Sequence, residues 1–332
     1  MFNLKIKKLC GFLALSTLIV ASFATESFAK KHPTYAQKVC NGLVQVVIHA
    51  SYGGGTDTTA RMMSIRTRRT LNTDIQVVGK RGGSGAKAQN YTLTRPKDGC
   101  TIMALTESHL YTMARGKSNM KIDDLVGVAR AMEEPNFIVV NAKNKELSTI
   151  KKFIKRAQKK PIVTGIASIG GTEHIGMYSY SQAAGIPFKA VSFGSGAQSL
   201  QALVSGKIEA TLLNPSEAVA MIEAKKIKPI ILLHDKKMSD FKKVPTSYEM
   251  GHNVKVVTTR GYAVLKGTPQ ATIDEISKGL VKAMKHETFG TYLKGAGLDP
   301  KTSPAGTEVW DKQLKENYKK AATALKGLGL TK

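Results

Sequence analysis

At 332 residues the chain is longer than one hydrophobic core comfortably serves, and 50 basic against 24 acidic residues give it a formal charge of +26. Two lobes and an attraction for anions are therefore expected. Its three cysteines and seven histidines show no metal-ligand spacing, and its scattered lysines come without zinc-finger spacing or an aromatic-rich basic strand. The composition thus argues against a metal site and against a nucleic-acid-binding protein.

Residues 1–29 carry Lys5, Lys7 and Lys8, an apolar run from Gly11 to Ala24, and the small residues of Ser27-Phe28-Ala29. This pattern predicts a secretory signal peptide removed near Ala29. Cys10 precedes the apolar run, whereas a lipid-modified cysteine would follow it, so release without a lipid anchor is expected. No later run reaches the eighteen or so apolar residues of a membrane span.

The β-branched run Val44 to Ile48 predicts a strand, and Ala50-Ser51-Tyr52-Gly53-Gly54-Gly55-Thr56-Asp57 after it opens a helix. Three glycines let the backbone approach a ligand, and the first-turn amides of the helix point at whatever sits in front of it. The loop lacks the lysine of a P-loop and the spacing of a dinucleotide motif, so a small anion suits it better than a nucleotide. Thr56 or Asp57 is expected to cap the helix. Cys40 lies ahead of this strand and Cys100 at the start of another. The two can meet if those strands are neighbours, and a disulfide or two free thiols both remain open.

Further strands are expected at Ile75–Val78, Thr101–Leu105, Phe137–Val140, Ile162–Ile166, Ala210–Leu213, Ile230–Leu233 and Tyr262–Leu265, alternating with helices. Such alternation argues for parallel α/β sheets covered by helices. The cluster Lys151-Lys152, Lys155-Arg156 and Lys159-Lys160 lies opposite Ile150, Phe153 and Ala157, which is the solvated face of an amphipathic helix stopped by Pro161. Thr268-Pro269 and Ser303-Pro304 both read as helix starts, the second leading to a stripe of Trp310, Leu314, Tyr318 and Leu325. Crossovers between lobes are expected near Val140 and Val256.

Read together, several motifs resemble the substrate-binding receptors of tripartite tricarboxylate transporters, the Bug or TctC-like family, over nearly the whole mature chain. They run from Val47 through Arg61, then Val78-Gly79-Lys80-Arg81-Gly82-Gly83-Ser84-Gly85-Ala86 and Pro96-Lys97-Asp98-Gly99-Cys100-Thr101. Ala167-Ser168-Ile169-Gly170-Gly171-Thr172-Glu173-His174, Val191 through Gln198, Gly206 through Ala210, Val244 through Gly251 and Gly267-Thr268-Pro269 complete the order. Departures include Tyr52 where the family usually has proline, and Thr259-Arg260 where it often has a tryptophan before Gly261.

The resemblance implies an α/β periplasmic-binding-protein fold of the second type: two lobes with mixed, mostly parallel sheets, helices on both faces and two crossover strands. It implies lobe 1 at 30–141 with 258–332 and lobe 2 at 142–257. It also implies a monomeric periplasmic receptor, without cofactor, that closes on a small carboxylate and delivers it to permease subunits in the membrane. Lobe 1 would offer Ser51, Tyr52, Gly53, Gly54, Gly83, Ser84, Thr106 and Ser108; lobe 2 would offer Ser168, Gly171, Thr172, His174, Ser195, Gly196 and Asn214. Simpler roles stay open for these: turn geometry for the glycines, helix capping for Thr106 and Ser108, a loop hydrogen bond for His174 and a turn for Asn214. Lys80 and Arg81 could meet a second negative group or point to solvent. The competing reading, a secreted hydrolase of anionic substrates, lacks a G-x-S-x-G elbow, an H-E-x-x-H pair and any paired nucleophile and base.

Overall fold

The computed structural model describes residues 34–330; the expected signal peptide and its cleavage near Ala29 lie outside them. Among the described residues, eleven strands are distributed over two sheets. They are β1 (Leu43–Ile48), β2 (Asp74–Gly79), β3 (Thr101–Leu105), β4 (Leu125–Pro135), β5 (Phe137–Asn141), β6 (Ile162–Ile166), β7 (Phe188–Ser192), β8 (Ala210–Leu213), β9 (Ile227–Leu232), β10 (Val257–Leu265) and β11 (Ala305–Gly306). Eleven α-helices accompany them: α1 (Tyr35–Val39), α2 (Gly55–Thr70), α3 (Ala86–Leu93), α4 (Glu107–Ala114), α5 (Ile150–Lys159), α6 (Thr172–Ala184), α7 (Gly196–Val204), α8 (Pro215–Glu223), α9 (Gln270–Met284), α10 (Glu287–Gly295) and α11 (Thr307–Gly327).

The first sheet has the order β11-β4-β10-β3-β1-β2 and the second β7-β6-β8-β5-β9. Parallel pairs join β1 to β2 and β3, and β6 to β7 and β8. Antiparallel pairs fill the other half of each sheet, around β10 and β4 in one and around β5 in the other. Strand β1 is mostly apolar because both faces are covered: Val44, Val46 and Ile48 pack on one face of the sheet and Val47 on the other. In the second sheet Ile138 and Val140 of β5 face one core while Phe137 and Val139 face another. A strand covered on both sides has no solvated face to alternate with.

The chain leaves the first sheet at Pro135 and enters the second at Phe137, so Asn136 is the crossing point, four residues before the expected Val140. Strand β4 was not legible because Arg130, Glu133 and Glu134 interrupt its apolar pattern. The return lies beside it: the Asn136 amide donates to the Val256 carbonyl at 3.1 Å, and Leu233 N–H donates to the Asn136 carbonyl at 2.9 Å. The two crossovers are therefore hydrogen-bonded to each other where the sheets meet.

Two expected helix starts differ in detail. Pro269, not Thr268, stands at the N-cap of α9, while the Thr268 hydroxyl donates to the Leu265 carbonyl at 2.8 Å. Helix α11 begins at Thr307 and not at Ser303-Pro304, because Ala305 and Gly306 first pair with β4 as a short edge strand. Trp310 is buried there, its indole N–H donating to the Tyr262 carbonyl at 3.0 Å. The ring lies so close to β10 that a Cβ on Gly261 would stand 2.3 Å from it, which is why glycine is required at that position. Helix α5 buries Ile150, Phe153 and Ala157 and leaves Lys151, Lys152, Lys155, Lys159 and Lys160 exposed. Cys40 and Cys100 are joined by a disulfide that ties the segment before β1 to the start of β3.

Candidate ligand-binding crevice

The glycine loop after β1 turns sharply at Gly53, whose φ of +79° favours glycine. Gly54 is the N-cap of α2, so Thr56 and Asp57 lie inside the first turn and do not cap it. Asp57 instead reaches back to accept the Gly53 N–H at 2.8 Å and pairs with Arg61 at 2.9 Å. The Thr56 hydroxyl accepts from Arg260 Nη1 at 3.3 Å. Tyr52 turns outward: it is 58 % exposed, its hydroxyl accepts the Gly79 N–H at 3.0 Å, and Arg61 lies over its ring.

The loops of the two lobes touch, and several of the expected ligand residues are hydrogen-bonded across the seam. Ser51 N–H donates to the Gly194 carbonyl at 3.1 Å, and Gly55 N–H donates to Glu217 Oε1 at 3.0 Å. Ser84 Oγ donates to the Ile169 carbonyl at 2.5 Å. Ser108 Oγ accepts the Thr172 N–H at 3.1 Å and lies 3.1 Å from the Thr172 hydroxyl. Gly54 is packed so tightly that a Cβ there would stand 2.9 Å from Ser195 Cβ. These hydrogen bonds join loops of the two lobes directly.

Other expected ligand residues serve the frame. Ser195 Oγ caps α7 by accepting the Gln198 N–H at 3.3 Å. Asn214 stands at the N-cap of α8, donates to the Pro135 carbonyl at 3.1 Å and accepts from Arg260 Nη2 at 3.0 Å, which pins it to the crossover. His174 Nδ1 accepts the Gly170 N–H at 2.9 Å, and burial together with Arg115 lowers its proton affinity. Gly171 N–H donates to the Ser168 carbonyl at 3.1 Å. Thr106 stands at the N-cap of α4, where its N–H donates to His109 Nδ1 at 3.1 Å.

Two cavities adjoin between the lobes, sharing His49, Ala50 and Ala167 in their walls. The outer one, about 560 Å³, is lined also by Arg81, the Gly82–Gly85 turn, Ser168, Ile169, Ser192 and Gly194. Gly82, Gly83, Ser84 and Gly85 all have positive φ. Ser84 accepts this without being glycine, held by Ile169 through its hydroxyl and by the Thr112 hydroxyl, which donates to its carbonyl at 2.7 Å. Arg81 spans the gap, since a Cβ on Gly194 would lie 3.1 Å from its guanidinium.

The inner cavity, about 30 Å³, has Thr56, Thr106, Ser108, Thr172, Ser195 and Gly196 in its wall beside Glu173, Glu217 and Arg260. Neither lining includes Ser51, Tyr52, Gly53, Gly54, Gly171, His174 or Asn214. The charged residues are the part that sequence reasoning did not assign. Arg260 Nε donates to the fully buried Glu134 at 3.1 Å, and Glu217 lies 3.9 Å from Nη2. Burial opposes the Arg260 charge, but Glu134 and Glu217 more than offset it and raise its proton affinity above the ordinary range. Burial and then Glu217 push the Glu173 carboxyl up to about 7. Burial and then Arg260 push His49 down to about 4, leaving a neutral imidazole at pH 7, edge-on to His109 with centroids 4.1 Å apart. The one available signal was Arg260 itself, standing where the resembling family often carries an aromatic residue.

Two mixed sheets, two hydrogen-bonded crossovers and glycine-opened helices facing each other across a crevice define a periplasmic-binding-protein fold. The profile of the tripartite tricarboxylate transporter family receptors matches residues 59–330, and the chain belongs to that family. A curated relative, the UPF0065 protein in the gbd 5' region of Cupriavidus necator, is 22% identical over 324 residues, covering 97% of this chain and 98% of its own. Among solved structures, MatC from Rhodopseudomonas palustris with bound malate superposes with a TM-score of 0.79 at 20% identity, covering 85% of this chain and 98% of that one. A second R. palustris protein, solved with adipate, gives a TM-score of 0.79 at 20% identity, with 86% and 97% covered.

Proposed function

We propose that this receptor captures a small carboxylate in the outer cavity and presents it to the membrane permease subunits of a tripartite tricarboxylate transporter. The carrying observation is the outer cavity itself: Arg81 and the Gly82–Gly85 turn from one lobe face Ser168 and Ile169 from the other across about 560 Å³. A carboxylate there gains a charge-assisted partner from one lobe and polar backbone from both. The malate and adipate bound by the two R. palustris proteins support the same class of ligand. The family's role as receptors supports binding without catalysis, and the leader-like residues 1–29 support export to the periplasm with cleavage near Ala29.

The lobes are taken as 34–136 with 257–330 and as 137–256, hinged at Asn136 and Val256. Ser84, Ser168 and the amides around Gly83 are the proposed ligand contacts. Ser108, Thr172, Ser51 and Gly54 are assigned to lobe closure. Thermal denaturation across mono-, di- and tricarboxylates tests the reading, because a ligand bound only by the folded chain raises the melting temperature with concentration. Curves unmoved by every acid would remove it.

A further inference from the structure

Helix α5 and the loop before it carry charge of almost a single sign. Between Lys143 and Lys160 seven lysines are exposed, and Glu146 is the one acidic residue. Helices α9 and α11 differ: Asp274 and Glu275 stand among the lysines of the first, and Glu308, Asp311 and Glu316 among those of the second. Mixed signs largely cancel at a distance, whereas one sign sums to a field.

The helix concentrates that field on one side. At 3.6 residues per turn Lys151, Lys152, Lys155 and Lys159 fall within an arc of about 100°, opposite Ile150, Phe153 and Ala157, which hold the helix against its core. The lysines in ion pairs among the described residues are Lys237, Lys255 and Lys315, so none of these four is neutralised that way. Arg156, at the border of the arc, is committed to Glu209 at 2.6 Å.

What the patch lacks defines its occupant. None of the exposed large apolar side chains among the described residues falls between 143 and 160, whereas protein interfaces are rich in aromatic residues and poor in lysine. Single-stranded nucleic acid likewise calls for aromatic side chains on which bases stack. A layer of mobile anionic headgroups needs neither, because it adjusts to whichever lysines are presented. Residues 143–160 line neither cavity of the crevice, so the patch and the ligand cavities are separate surfaces.

We propose that the outer face of α5 is an electrostatic docking face for anionic phospholipid headgroups, holding the chain on a membrane surface by charge and without insertion. The docking stands or falls independently of carboxylate capture.

Cosedimentation with phosphatidylcholine vesicles, with and without about one quarter phosphatidylglycerol at about 0.1 M salt, tests this. The chain purified after export, its N-terminus checked by mass, should bind the anionic vesicles, leave the neutral ones and come off at about 0.5 M salt. A basic residue near an anionic leaflet is worth roughly fivefold in partition, so joint Lys151→Gln, Lys152→Gln, Lys155→Gln and Lys159→Gln should weaken binding at least about thirtyfold, two residues' worth. The charge-matched set Lys278→Gln, Lys282→Gln, Lys285→Gln and Lys319→Gln, all exposed lysines of the α9 and α11 region, should weaken it less than about fivefold. Anionic vesicles should also shield the α5 lysines of the wild-type chain from acetylation while Lys278 and Lys282 still react, a readout that needs no variant to fold. No binding to anionic vesicles, equal binding to neutral ones, or binding indifferent to salt would overturn the docking. A loss in the charge-matched set as large as in the α5 set, or shielding that leaves the α5 lysines reactive, would overturn its assignment to α5.

Discussion

At the outer end of the crevice Arg81 stands exposed beside a glycine turn, whereas at the inner end Arg260 is buried among Glu134, Glu217 and Asn214. The same residue type thus does two kinds of work. An exposed guanidinium is free to meet an incoming anion and contributes little to the fold. A buried one is committed: its charge holds carboxylates from the crossover and the second lobe, and removing it strands them.

The largest separation between the two ends should come from truncating each arginine. Arg260→Ala leaves Glu134 and Glu217 uncompensated, and urea denaturation is expected to show a loss of about 3–5 kcal/mol. A loss below about 1 kcal/mol would mean that the acids relax or protonate at little cost. As a reference away from the crevice, Cys40→Ser with Cys100→Ser opens a loop spanning 60 residues and should cost about 2–4 kcal/mol.

Glu173→Gln sharpens the contrast through pH. The wild-type carboxyl holds its proton up to about 7 in the fold but ionises near its ordinary 4.5 when unfolded. The folded chain therefore binds more protons across that window, and this group's ionisation erodes stability as pH rises through it. The variant's melting temperature relative to wild type should climb over the same window and level off above it, by the equivalent of about 3 kcal/mol. A difference that stays flat with pH would show that Glu173 ionises normally.

Ser108→Ala, Thr172→Val and the double variant probe the seam between the lobes, where a coupling of about 1 kcal/mol in stability is expected for one hydrogen-bonded pair. Strict additivity would place the two hydroxyls apart in solution. Smallest of all, Arg81→Ala should leave stability within about 0.5 kcal/mol while carboxylate affinity falls. An equal affinity would move the anion away from that side chain.

The glycine loops were legible because a β-branched run followed by Gly53-Gly54-Gly55 has few other local solutions, and the mostly apolar runs of β1 and β5 announced strands buried on both faces. The roles of single residues inside the loops were harder to read. Tyr52 adjoins the glycine run yet faces solvent, because the turn at Gly53 separates it from the crevice. Glu173 and Glu217 gave no local signal, since a charged residue near a helix start reads as surface. Their burial arises only when two lobes distant in sequence close over them. Strand β4 was hidden for a related reason: Glu134 sits in a strand because Arg260 on the neighbouring strand neutralises it.

The most direct test is a crystal structure of the chain with its tightest-binding organic acid. The account predicts the acid between the lobes, a carboxylate beside Arg81 and the Gly82–Gly85 turn and within reach of Ser168 or Ile169. An acid bound on one lobe alone, or seated elsewhere with the crevice unchanged, would contradict it.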